Sequence, residues 1–280
     1  MSHPTKVLII DDSAVARQTL TNILSSDPEI EVVGTAPDAV IGLKKISELR
    51  PDVLTLDVEM PKMDGLTFLE RLMKSNPMPV VMVSAYTREG SETALRSLEL
   101  GALEIIEKPR LEVREGLNDL ATSITDKVKA AALARVRSPR QNFLDTPRRY
   151  DIDAVPSKPR APVAPGSRAS IIAIGASTGG TEALRELLSP LPTDLPGIMV
   201  VQHMPAPFTL SFAERLNQAC RIQVREAAEG DFIKSGEALI APGDFHLVIV
   251  ADGDGYRAQL KSDKRINRHR PSVDKLFQSI

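Results

Sequence analysis

Asp11 and Asp12 follow a short apolar run, Asp57 ends a second one, Ser84 ends a third, and Lys108 stands just before Pro109. Three carboxylates brought together repel one another, which raises the cost of keeping all of them ionised. A hard divalent cation removes that cost, and Mg2+ prefers a few carboxylates with water and phosphate oxygens. A hydroxyl (Ser84) and an ammonium (Lys108) in the same cleft would stabilise a phosphoryl group. The set therefore predicts Asp57 as a nucleophile that becomes an aspartyl phosphate. A second candidate chemistry lies further along, in Gly175-Ala176-Ser177-Thr178-Gly179, which fits G-x-S-x-G. A sharp turn of small residues presents a serine hydroxyl at the end of the sheet, and the N–H groups around Thr178 and Gly179 can face a developing oxyanion. His203 follows the next apolar run, and a histidine within reach of Ser177 would act as general base.

These residues need elements that converge. Val7–Ile10, Glu31–Ala36, Val53–Leu56, Val80–Val83 and Glu104–Ile106 are short and rich in Val and Ile, as strands are. Helical patterns lie between them; in Ser13–Ser25 the apolar residues fall near one face and Ser13 is a good N-cap. Alternating strands and helices predict α/β architecture, here a flavodoxin-like doubly wound domain with a five-stranded parallel sheet. In such sheets ligands gather at the carboxyl ends of the strands, where the acidic cluster falls.

Leu111–Arg137 reads as a long helix leaving this domain. Residues 138–168 carry six prolines, several arginines and little periodicity, the composition of a semi-extended tether. A second α/β pattern follows, with strands expected at Ile171–Ile174, Ile198–Val201, Ala238–Ile240 and Leu247–Val250 and helices at about 180–188 and Pro207–Ala219. The expected boundaries are 1–125 for the first domain, 126–168 for helix end and linker, and 169–280 for the second domain.

Two further residues could join a site, and a third reads as structural. His246 follows the turn Ala241-Pro242-Gly243, where packing is an equally simple role. His269 sits in the basic stretch Asn267-Arg268-His269-Arg270, suited to an acidic surface or to plain solvation. Cys220, the single cysteine, excludes an internal disulfide, fits a reducing compartment and reads as a packing residue.

The motifs IIDDS at Ile9–Ser13, LDVEMPKMDG at Leu56–Gly65, VSA at Val83–Ala85 and EKP at Glu107–Pro109 resemble those of response-regulator receiver domains. That resemblance implies Asp57 as phosphoacceptor, with Asp11, Asp12, Asp57 and the backbone carbonyl of Glu59 around Mg2+, and Ser84 and Lys108 against the phosphoryl group. Receivers commonly carry an aromatic residue three positions before the lysine; here it is Ile105. GASTGG at Gly175–Gly180, QHM at Gln202–Met204, FTLSFAERL at Phe208–Leu216, APGDFH at Ala241–His246 and RPSVDKLFQS at Arg270–Ser279 resemble the chemotaxis protein-glutamate methylesterase family.

This second resemblance implies hydrolysis of glutamate γ-methyl esters on chemoreceptors, with deamidation of receptor glutamines in many members. Ser177 would be the nucleophile and His203 its base. A chemotaxis histidine kinase would phosphorylate Asp57 and so relieve a block imposed by the receiver. The family's third triad member is an Asp in a glycine-rich stretch after RPSVD. Asp231, Asp244, Asp263 and Asp274 do not match it. We therefore expect a truncated, incomplete esterase domain without that residue, and slow turnover, since comparable losses cost about 10⁴-fold.

Composition bounds the alternatives. Hydrophobic content of 42%, charged content of 26% and a net charge of −2 describe a globular protein and argue against a general nucleic-acid binder. No apolar run approaches the ~20 residues of a membrane span, and the N-terminus lacks a signal-peptide core. A cytoplasmic protein is expected. The competing readings are a phosphorylation-dependent binding module and a hydrolase of some other ester.

Overall fold

The computed structural model describes residues 3–84, 88–109, 117–134, 170–253 and 255–280. The expected linker and the outer parts of the helix at 111–137 lie outside these residues.

The first domain contains β1 (Thr5–Ile10), α1 (Ala14–Ser25), β2 (Ile30–Ala36), α2 (Ala39–Leu49), β3 (Val53–Asp57), α3 (Gly65–Ser75), β4 (Val80–Ser84), α4 (Arg88–Glu99), β5 (Glu104–Glu107) and α5 (Leu117–Leu133). The strands form one parallel sheet in the order β2-β1-β3-β4-β5. Alternation along a strand sends neighbours to opposite faces, so both faces must be covered. Leu8, Ile10, Leu54 and Leu56 pack with Phe68, Leu69 and Ala94 of α3 and α4. Val7, Ile9, Val53 and Val81 pack with Leu20, Ile124 and Val128 of α1 and α5. Helix starts are fixed by side-chain caps: Ser13 accepts from the Ala16 N–H, Asp38 from Ile41 and Asp64 from Thr67. Gly65 is required by close approach, because a Cβ there would overlap the backbone carbonyl of Asp57.

The second domain contains β6 (Ile171–Ala176), α6 (Gly180–Leu188), β7 (Gly197–Gln202), α7 (Ala206–Ala219), β8 (Gln223–Glu226), β9 (Glu237–Ile240), β10 (His246–Asp252), β11 (Gly255–Lys261) and the short α8 (Val273–Phe277). Four strands form a parallel sheet in the order β6-β7-β9-β8. The run at Leu247–Val250 is a strand, as expected, but it pairs with β11 in a separate antiparallel hairpin. β8 and β11 carry weak sequence signals: β8 buries only Val224, and β11 is half-exposed over most of its length.

The two domains meet face to face. Leu95 and Leu98 of α4 lie against Phe212 and Leu216 of α7, and the buried cluster runs unbroken from one domain into the other. Glu99 accepts a 2.6 Å charged hydrogen bond from Arg215, and Asp126 accepts one of 3.1 Å from Arg268.

Candidate active site and phosphoacceptor site

The carboxyl ends of β1 and β3 bring Asp11, Asp12 and Asp57 together, with one oxygen of each within 4.8 Å of the others. Asp11 and Asp57 are buried, and Asp12 is exposed. Lys108, directly after β5, reaches in: its Nζ lies 2.6 Å from Asp57 Oδ2 and 3.2 Å from Asp11 Oδ2. The acidic loop is held by backbone and side-chain donors. The Ser13 N–H donates to Asp11 Oδ1 at 2.8 Å, and the Glu59 N–H to Asp57 Oδ1 at 3.3 Å. Arg17 Nη1 donates to the carbonyls of Asp11 and Asp12 at 2.7 and 3.0 Å.

Burial pushes the Asp57 carboxyl up to about 6; the Lys108 hydrogen bond opposes this and the nearby charge of Asp11 adds to it. Burial raises Asp11 too. Burial opposes the charge on Lys108, yet its bonds to Asp57 and Asp11 carry its pKa above the ordinary lysine value. Asp11 Oδ2 is buried, and one lysine, Lys108 at 3.2 Å, faces three carboxylates. An under-neutralised set of oxygen donors of this kind suits a hard divalent cation. Ser84, buried at the end of β4, offers its carbonyl to the Lys108 N–H at 2.8 Å. Ile105 is buried in the core.

The second site lies where β6 gives way to α6. Ser177 is exposed in the turn between them. Gly179 caps α6 with φ +75°, a conformation that favours glycine. The carbonyl of Ser177 accepts from the Gly180 N–H at 2.7 Å and from Gln202 Nε2 at 2.9 Å. Gly180 must be glycine, because a Cβ would overlap Gln202 Oε1 and the Cβ of Ala176. The His203 N–H donates to the Ala176 carbonyl at 3.1 Å, which ties the end of β7 to the nucleophile turn. His203 Nδ1 then stands 3.3 Å from Ser177 Oγ. A serine hydroxyl donating to Nδ1 requires the proton of the neutral ring on Nε2. That Nε2 is buried and, among the described residues, has no hydrogen-bond partner.

His203 is pushed down to about 4, first by burial and then by the neighbouring His269 and Lys127, with Asp274 opposing. The imidazole is therefore neutral at neutral pH, as a general base must be. His269 stacks on it with ring centroids 3.8 Å apart and an interplanar angle of 7°. The basic stretch thus enters the site through a contact that spacing along the chain does not reveal. His246 lies elsewhere: it is buried, and its Nε2 meets the Lys264 carbonyl at 3.0 Å. Cys220 caps α7, and burial raises its thiol.

The first domain borders this site. The Gly179 N–H, one of the expected oxyanion donors, points at the carbonyl of Leu103 at 3.2 Å. Ile106, Ile124 and Lys127 of the first domain line one cavity with His203, Arg268 and His269 of the second.

Residues 7–117 match the family model of the response regulator receiver domain, and residues 172–280 match that of the CheB methylesterase. A protein-glutamate methylesterase/protein-glutamine glutaminase of Cupriavidus metallidurans is 52% identical over 98% of this chain and 74% of its own length. The chain belongs to the CheB protein-glutamate methylesterase family. A second such CheB relative, from Geobacter metallireducens, is 50% identical over 99% of this chain and 76% of its own. The solved CheB methylesterase catalytic domain of Thermotoga maritima is 42% identical, covering 40% of this chain and 60% of that one, with a TM-score of 0.38. Among the described residues, no helix is long and apolar enough to cross a membrane.

Proposed function

We propose that this chain hydrolyses glutamate γ-methyl esters on chemoreceptors, and deamidates receptor glutamines, under the control of phosphorylation at Asp57. Its boundaries are a receiver at 1–125, a connection at 126–168 and the catalytic part at 169–280. The cell compartment is the cytoplasm. The observation that carries the reading is the Ser177–His203 pair, 3.3 Å apart in the turn before α6, where a receiver-domain carbonyl meets the Gly179 N–H.

Ser177 Oγ attacks the ester carbonyl carbon while His203 Nδ1 takes its proton. The carbonyl π pair moves onto oxygen, where the Gly179 N–H receives it. The pair returns, the C–OCH3 bond breaks, and His203 protonates the departing methoxide to methanol. Water then attacks the acyl-serine, giving its proton to His203. Collapse returns that proton to Ser177 and leaves a glutamic acid, which loses its own proton to solvent. With glutamine the leaving group is ammonia.

In this conformation the Leu103 carbonyl occupies the Gly179 N–H, so a substrate carbonyl cannot use it. A chemotaxis histidine kinase supplies the phosphoryl group. Asp11, Asp12, Asp57 and the Glu59 carbonyl would hold Mg2+, which supplies neutralisation of the clustered carboxylates and of phosphate oxygens. A phosphoryl group on Asp57 draws Lys108 from its 2.6 Å bond and engages the Ser84 hydroxyl. Both residues end strands bordering α4, the helix that packs on α7.

Methanol release from methylated receptor, with and without acetyl phosphate and Mg2+, tests the reading. Stimulated release that Ser177→Ala abolishes supports it. Receptor-dependent effects that survive Ser177→Ala would instead indicate a binding module.

A further inference from the structure

Arg265 to Arg270 place three arginines within six residues of a chain whose net charge is −2. Ile266 and His269 exchange backbone hydrogen bonds of 3.1 and 2.9 Å. Asn267 and Arg268 between them both have positive φ, 47° and 69°. This is the geometry of a tight two-residue turn. Asn267 Nδ2 anchors it to Asp274 Oδ2 at 2.6 Å. His269, which ends the turn, stacks on His203. Arg268 is therefore mounted on a fixed turn and lines the same cavity as His203.

The three arginines are differently engaged. Arg265 faces Asp244 at 3.7 Å, and Arg270 Nη1 donates to the carbonyls of Ser262 and Asp263 at 3.0 Å each. Arg268 keeps a side-chain exposure of 59%, and among the described residues its one ion pair is with Asp126, on α5 of the receiver, at 3.1 Å. When the receiver withdraws, that carboxylate leaves with it. A planar guanidinium then stands free at the mouth of the site, and a carboxylate is what its fork geometry matches.

We propose that the Arg268 turn is a carboxylate-binding subsite that takes acidic residues flanking the scissile glutamyl group, and that Asp126 occupies this subsite while the receiver is docked. The proposal rests on the methylesterase reading for the identity of its ligand: an enzyme that turns glutamyl esters into glutamates works on a surface that accumulates carboxylates. Arg268 is thus a specificity residue that favours substrate segments already rich in glutamate. Its receiver partner is a substrate-like acid supplied by the chain itself.

The test is a binding titration that needs no turnover. One fluorescein-labelled peptide carries a glutamine flanked by glutamates, and a second carries the same glutamine flanked by glutamines. Both are titrated with the full unphosphorylated chain and with Asp126→Asn, which frees Arg268. We expect Asp126→Asn to bind the glutamate-flanked peptide about 1.5- to fivefold tighter than the unaltered chain does, the range of one exposed ion pair. The glutamine-flanked peptide should show no such gain. Adding Arg268→Gln to Asp126→Asn should remove the gain, Arg268→Lys should retain part of it, and high salt should suppress it. Equal affinity of Asp126→Asn for the two peptides, or a glutamate preference that survives Arg268→Gln, would overturn the subsite. Absence of ester hydrolysis alongside a persisting, Arg268-dependent preference would refute the methylesterase reading and leave the subsite standing.

Discussion

The amide of Gly179 donates to the carbonyl of Leu103 across the domain boundary, 3.2 Å away. On the mechanism proposed above, the receiver thereby lends the esterase a false substrate oxygen. Such a block would be narrower than general steric cover, since it uses up the donor assigned to the oxyanion. The Glu99–Arg215 bond and the α4–α7 seam hold that carbonyl in register.

Weakening the register should release basal activity. Arg215→Ala removes a partly exposed ion pair worth at most about 1 kcal/mol. We expect the unphosphorylated methanol-release rate to rise by up to about fivefold, while the rate with acetyl phosphate stays the same. An unchanged basal rate would detach this pair from the block.

Asp57 should be a source of instability in the metal-free receiver. Its folded pKa, about 6, lies above the ordinary 3.8, so the folded state favours the protonated form. The penalty is absent below the unfolded pKa and complete above the folded one, so its contribution to stability falls as pH rises between 4 and 6. Asp57→Asn should raise the Tm at pH 7.5, for a gain of at most about 3 kcal/mol, and the gain should vanish near pH 4. Mg2+ should stabilise the unaltered chain more than the variant. Thermal melts at both pH values, with and without Mg2+, check each part.

His203 should titrate near 4 in the docked chain, far below a free imidazole. Burial is the main cause, and the charge of Lys127 on the receiver adds to it. Its NMR ring resonances should stay in the neutral position down to about pH 5. Lys127→Met should move the midpoint upward. Because the folded pKa is depressed, this group destabilises the fold as pH falls from 6.5 toward 4.

Gly179 and Gly180 should respond differently to alanine. At Gly179 a Cβ meets nothing within 4 Å, so Gly179→Ala carries only the strain of φ +75°, about 1 kcal/mol. At Gly180 the new methyl group must displace Gln202, which holds the Ser177 carbonyl. Gly180→Ala should therefore lower Tm further and cut esterase turnover at least about tenfold, as expected for a misplaced nucleophile. Melts and stimulated methanol release on both variants separate the two effects.

Much of this architecture was legible in the residues. The acidic cluster, Lys108 and the nucleophile turn follow from strand ends, because a parallel sheet leaves few other places for such residues to meet. Ser177 and His203 fell together for the same reason, at the ends of the adjacent strands β6 and β7. What escaped is what depends on packing between distant segments. The stacking of His269 on His203 joins residues with no shared periodicity. β8 and β11 were missed because their burial alternates too weakly, and the hairpin of β10 and β11 could not be told from a fifth parallel strand. The Leu103 carbonyl was invisible in principle, since backbone contacts across a domain boundary leave no side-chain signature.

The unbroken apolar cluster through α4 and α7 gives the switch a temperature dependence. Undocking the receiver brings Leu95, Leu98, Phe212 and Leu216 into contact with water, so opening must carry a positive heat-capacity change. The apolar part of the clasp weakens on cooling. At a fixed level of phosphorylation, a colder cell would hold a larger share of its esterase undocked, which partly offsets the slowing of the chemical step.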